Sequence, residues 1–105
     1  MMINLYRFDE VNKCVVEDVP PIRRVEVRGQ PFNKRAVREG IKACIANSGG
    51  PLALEFKAVI AGTRLRLGLI LGTNGEQVNP RTFSDFAADT VVDALRAKAL
   101  ALSLS

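Results

Sequence analysis

The stretch from Arg23 to Lys42 concentrates the chain's positive charge. Arg23, Arg24, Arg28, Lys34, Arg35, Arg38 and Lys42 stand there against Glu26 and Glu39, seven minus two, a local excess of +5. The other residues carry eight cations and nine carboxylates, so this segment accounts for the whole net charge of +4. The chemistry open to such a cluster is anion binding. Lys34 and Arg35 fall where a helix should begin, and the free amides of a first helical turn already carry partial positive charge. Cations there are unfavourable by about 0.3–1 kcal/mol each, unless an anion shares the site. Arg24, Arg28, Asn33, Lys34, Arg35, Arg38 and Lys42 are therefore the candidate anion- or partner-binding set.

Other residues with chemical potential are fewer. There is no histidine, which removes Ser-His and Cys-His nucleophile systems and most zinc sites. The two cysteines, Cys14 and Cys44, read as reduced, partly buried thiols rather than as a disulfide framework. Asp85, Asp89 and Asp93 recur every fourth residue and share one helix face. They could hold a hard cation, face a basic segment of another subunit, or form a solvated stripe, and the last is the expectation. Tyr6 reads as a half-buried strand residue rather than a proton donor. Gly72-Thr73-Asn74-Gly75 reads as a turn, because neither phosphate-loop spacing is present. No catalytic residue, metal ligand or cofactor is assigned.

These side chains need elements to hold them. The polar cluster Asp9-Glu10-Val11-Asn12 separates expected strands at 2–8 and 13–19, and Pro20-Pro21 ends the second. A third strand is expected over 22–28, with Val25 and Val27 on one face and Arg24, Glu26 and Arg28 on the other, before a break at Gly29-Gln30-Pro31. Val37, Ile41, Cys44 and Ile45 lie at i, i+4, i+7 and i+8, which predicts a helix over 34–46. Asn33 should cap it, with Phe32 and Val37 as a hydrophobic staple. Asn47-Ser48-Gly49-Gly50-Pro51 should stop it.

Strict alternation from Leu52 to Ile60 and from Arg64 to Leu71, joined at Ala61-Gly62, predicts a hairpin with one buried face. Its wet face is expected to carry Glu55, Lys57, Arg64 and Arg66. A second, alanine-rich helix should open at Thr82 or Ser84 and reach Leu102. Asp85 near its start and Arg96 and Lys98 near its end would suit the helix dipole. Its apolar surface is wide, so Val92, Leu95, Ala99 and Leu102 are a candidate oligomer interface, unless the first helix covers them.

The order βββ-α-ββ-α over residues 1–105 is that of a single α+β domain. The expected form is a two-layer sandwich, a mainly antiparallel sheet of about five strands with two helices on one face. The strand order stays open. The chain reaches 105 residues, with 48% apolar and 25% charged residues, which excludes a disordered chain. No apolar run is long enough to span a bilayer, and Met1–Arg7 lacks the pattern of a secretory signal. A cytoplasmic protein without membrane contact is expected. The leading functional expectation is a small non-enzymatic interaction module whose basic surface binds an acidic protein partner or a second copy. A nucleic-acid or phosphate-ligand binder is the alternative, although aromatic stacking platforms are lacking. A small-ligand binder or enzyme, with its pocket between sheet and helices, is the third.

Overall fold

A computed structural model describes residues 1–16, 20–29, 32–46, 48, 51–73 and 79–104. In chain order the elements are β1 (Met2–Asp9), β2 (Cys14–Val15), β3 (Arg23–Glu26), α1 (Lys34–Ile45), β4 (Leu52–Ile60), β5 (Thr63–Leu71) and α2 (Pro80–Leu104). All paired strands are antiparallel. The sheet order is β2-β1-β4-β5, and β3 also pairs with β1. The α+β sandwich expected from the element order is the fold observed.

β1 is the organising strand. One side pairs with β4 from Met2 to Arg7. The other is shared, with β3 along Met2–Leu5 and β2 at Phe8 and Asp9. Val16 and Ile22 still donate backbone hydrogen bonds to Arg7 and Leu5, whereas Pro20 and Pro21 have no N–H to offer. The prolines thus divide what would be one long partner of β1. β3 is shorter than the expected 22–28, although Val27 still exchanges backbone hydrogen bonds with Met1. Positions 17–19 of the expected second strand lie outside the described residues.

β1 and β4 alternate in and out. Ile3, Leu5, Leu54 and Phe56 point into one core cluster with Val37, Ile41, Cys44 and Ile45 of α1. Burying one such side chain stabilises the fold by about 1.5–3 kcal/mol. The Asn33 carboxamide accepts from Ala36 N–H at 3.2 Å, as an N-cap should. Gly40 lets α1 sit close to the sheet: a Cβ there would stand 2.5 Å from Val27 Cγ2 and 3.2 Å from Ile3 Cδ1. The β4–β5 turn is the Ala61-Gly62 pair, both with positive φ, the hairpin geometry that matches strand twist. The breaks expected at Gln30-Pro31 and at Asn47, Gly49 and Gly50, and the Asn74-Gly75 turn, lie outside the described residues.

Three expectations change at α2. It begins at Pro80, earlier than Thr82 or Ser84, because Asn79 caps it. The Asn79 carboxamide accepts from Arg81 N–H at 3.0 Å, and Pro80, with its fixed φ, suits the first helical position. No acid lies in the first turn and no base in the last. Asp85, Arg96 and Lys98 are therefore too far from the ends for the dipole role expected of them. Val92 and Leu95 are completely buried within the chain. They form core with α1 and the sheet and are closed to a second copy, whereas Ala99 is half-buried and Leu102 exposed. Among the described residues no helix is long and apolar enough to cross a membrane.

Candidate functional site

The expected basic site divides when its residues are placed. Lys34 and Arg35 do open α1, where the dipole repels them. Two acids of α2 meet Lys34: its Nζ lies 3.3 Å from Asp89 Oδ1 and 3.5 Å from Asp93 Oδ1. Arg38 reaches Asp85 at 3.3 Å and its neighbour Glu39 at 3.9 Å. The helices run antiparallel, so the cations at 34 and 38 meet the acids in reverse order. The series then ends, since the residue four before Asp85 is another cation, Arg81. The aspartate stripe is solvated as expected, its side chains 61–66% exposed, and is also half of an ion-pair seam within one chain. No group of acidic, cysteine or histidine side chains among the described residues is arranged to hold a metal ion.

Arg24 belongs elsewhere. It pairs across β1 with Asn4 on the sheet face turned away from the helices, so it does not extend the α1 surface. Arg35, Lys42 and Arg28 are exposed, and Lys42 lies in the last turn of α1, where a cation suits the dipole. Phe32, the only aromatic side chain in the basic stretch, is partly buried against the core. The Arg96 guanidinium covers its ring at 5.9 Å from the centroid.

Arg23 has a role that its sequence position did not reveal. Its Nη1 donates to the carbonyls of Ala43, Cys44 and Ala46 at 2.9–3.1 Å. A strand residue therefore supplies the positive charge at the end of α1. Burial pushes the Cys44 thiol up to about 11, against the opposing pull of Arg23. Cys44 is a neutral core residue. Cys14 is exposed rather than partly buried, and both thiols are free.

The open face of the sheet carries a polar ladder. Arg24 Nε donates to Asn4 Oδ1 at 3.1 Å, and Asn4 Nδ2 donates to Glu55 Oε1 at 3.0 Å. Arg66 and Lys57 complete it as cations beside Glu55. Glu55, expected on the wet face, is only 6% exposed. It sits on a strand flanked on both sides, beneath these longer side chains. Burial raises its pKa, but Asn4, Arg66 and Lys57 outweigh that and hold the carboxyl below its ordinary range. Arg66 reaches Glu55 diagonally, since it stands opposite Lys57 while Gly68 stands directly opposite Glu55. Beside the ladder lies a groove of about 560 Å³, lined in part by Tyr6, Val15, Ala53, Gly68 and Ile70. It is on the face opposite the helices, where the ligand-pocket expectation did not place it, and Tyr6 is half-buried as expected.

The last feature is the far side of β5. This nine-residue strand ends the sheet, and among the described residues no strand pairs beyond it. Its inward leucines, Leu65, Leu67 and Leu69, are only half-buried, because α2 packs mainly on α1 and lightly on β5. On the outer face Arg64 and Arg66 are exposed, Gly68 opens onto free space, and Ile70 is 46% exposed. The expected alternation of β5 is present, but its inner face lacks a full cover.

Fold and surface together define an α+β sandwich with a charge-closed helix seam and, among the described residues, a long edge strand, β5, with no strand paired beyond it. Comparison with protein-family models, curated proteins and solved structures finds no match.

Proposed function

We propose that this domain is a non-enzymatic interaction module that binds an extended polypeptide segment along the free side of β5. The observation that carries the reading is the length of that edge together with the incomplete cover of its leucines. An unpaired row of backbone N–H and C=O groups accepts an added strand. Main-chain hydrogen bonds then supply affinity and alternate side chains supply specificity. Side chains of the added strand would shield part of the water-exposed surface of Leu65, Leu67 and Leu69, and Arg64 and Arg66 would disfavour a partner with basic residues opposite them. A cytoplasmic location, where Cys14 and Cys44 stay reduced, belongs to the same reading.

The binding surface thus shifts from the basic helix to the sheet edge. Lys34 and Arg38 already have acids of their own chain, so no outside anion is needed to make their positions tolerable. Nucleic-acid binding is the weaker reading, since it would rest on Arg28, Arg35 and Lys42 with Phe32 covered.

The test is an NMR titration of the whole chain with soluble-tagged extended peptides, one copying residues 63–71 and others alternating aliphatic with acidic or small residues, and with scrambled forms. The expected result is shifts confined to β5 and its β4 neighbours for at least one of the alternating peptides and for no scrambled form. No binding, or shifts centred on Arg35 and Lys42, would overturn the reading. A duplex oligonucleotide that shifted Arg35 and Lys42 at low salt and was released by added salt would favour the nucleic-acid alternative.

A further inference from the structure

We infer that the strand received by β5 is the β5 of a second copy, paired antiparallel about a twofold axis at Leu67. This inference rests on the strand-addition reading and names its partner. An axis perpendicular to the sheet keeps both helix layers on one side of the merged sheet, and makes the contact self-complementary.

The register follows from the residues. Centring on Leu67 uses all nine residues of β5, with Thr63 facing the partner's Leu71. Leu65 then faces the partner's Leu69, Arg64 the partner's Ile70, and Arg66 the partner's Gly68. No cation stands opposite another. A centre at Arg66 would set that residue against its own copy. A centre at Leu65 would set Arg64 against the partner's Arg66. Like charges directly opposite destabilise a strand pair. Centres at Gly68 or Leu69 avoid the clash but shorten the ladder. Only Leu67 combines full length with separated charges.

Two further features fit this geometry. Gly68 has nothing within 4 Å of where a Cβ would stand, so it leaves room for the Arg66 side chain arriving from the other copy. On the helix side, the half-covered leucines of both copies would form one continuous apolar ridge. Each row of leucines would then shield part of the other across the axis.

The experiment is sedimentation equilibrium of the full chain over a wide concentration range, with a charge-swap series. Ile70→Arg places an arginine opposite the partner's Arg64 twice per dimer. It should weaken association by about two- to thirtyfold. Adding Arg64→Glu to Ile70→Arg turns both contacts attractive and should restore association to at least the original level. Gly68→Lys is the second variant, should Ile70→Arg fold poorly. Its lysine would face Glu55 within its own chain and Arg66 of the other copy, so the fold should hold while the dimer weakens. A single variant without effect, or one that the swap does not rescue, overturns the Leu67 register. A wild-type chain monomeric at every concentration overturns self-pairing. In that case the peptide titration still decides whether β5 accepts strands at all.

Discussion

At the seam between α1 and α2, Lys34 and Arg38 stand where their helix repels them, and both are met by aspartates of the opposite helix. At the free side of β5, Arg64 and Arg66 flank leucines that no helix fully covers. The two regions look alike in composition, each a short run that mixes basic and aliphatic residues. They differ in what lies within reach. At the seam, the fold brings acids to within ion-pair distance of Lys34 and Arg38, so these two cations need no outside anion. At the edge, no strand among the described residues pairs beyond β5, and its leucines keep apolar surface open. Under the strand-addition proposal, unfinished pairing is a better guide to the binding surface than local charge excess.

The closed region should break most severely where its packing is tightest. Gly40→Ala adds a methyl group 2.5 Å from Val27 Cγ2. The overpacking should cost about 1–3 kcal/mol, against the ~1 kcal/mol that alanine gains in an exposed helix. Urea denaturation reads the balance. A neutral or stabilised variant would mean that α1 can lift from β3 without loss, and that the close approach is not needed.

Acid offers an intermediate perturbation, reaching both the open face and the β1–β2 turn. Hydrogen bonds from Asn12 and Val11 hold the Asp9 carboxyl below its ordinary value, and Glu55 is lowered within its ladder. A depressed carboxylate contributes stability in full above its unfolded value. That contribution fades as pH falls through the lower folded value. The loss should therefore begin below about pH 4.5 and continue downward, from the ordinary values of 4.5 for Glu55 and 3.8 for Asp9. Urea midpoints across pH 2–7 test this, and Glu55→Gln should flatten the dependence. An unchanged curve would show that the ladder around Glu55 does not distinguish its charged form.

The smallest effects should come from the ion pairs, because these side chains are largely exposed. Lys34→Ala and Arg38→Ala should each lower stability by about 1 kcal/mol or less, and by less again in high salt. Arg35→Ala should leave stability equal or slightly higher, since its cation opposes the dipole without an acid among the described residues to offset it. Thermal melts at two salt concentrations compare the three. A larger loss for Arg35 than for Lys34 would reverse the contrast between satisfied and unsatisfied cations.

What could be read without coordinates was governed by neighbours in sequence. The α1 stripe of Val37, Ile41, Cys44 and Ile45 is set by helical period, the Asn33 cap by a three-residue reach, and the β4–β5 hairpin by alternation around two turn residues. Each is a short-range geometry, so residue types at fixed spacing carry the information. The start of α2 was legible too: Asn79-Pro80 has the chemistry of a cap and first helical residue, although it reads equally well as loop. The role of Arg23, the burial of Glu55 and the ion pairs of the three aspartates were not legible for a different reason. The helix carbonyls that Arg23 meets, the Asn4 beside Glu55 and the cations beside the aspartates lie 20 or more positions away, and no local pattern names them.

The chain's residue order determined by itself the elements, their buried faces and the class of sandwich they form, because helix period, strand alternation and caps are properties of adjacent residues. Tertiary structure alone decided that β1 lies beside β4, that α2's acids close on α1's cations, and that β5 lies at one edge of the sheet. Those outcomes depend on which surfaces meet when the layers pack. Burial, ion pairing and an unpaired edge are properties of that meeting, and they do not exist until it occurs.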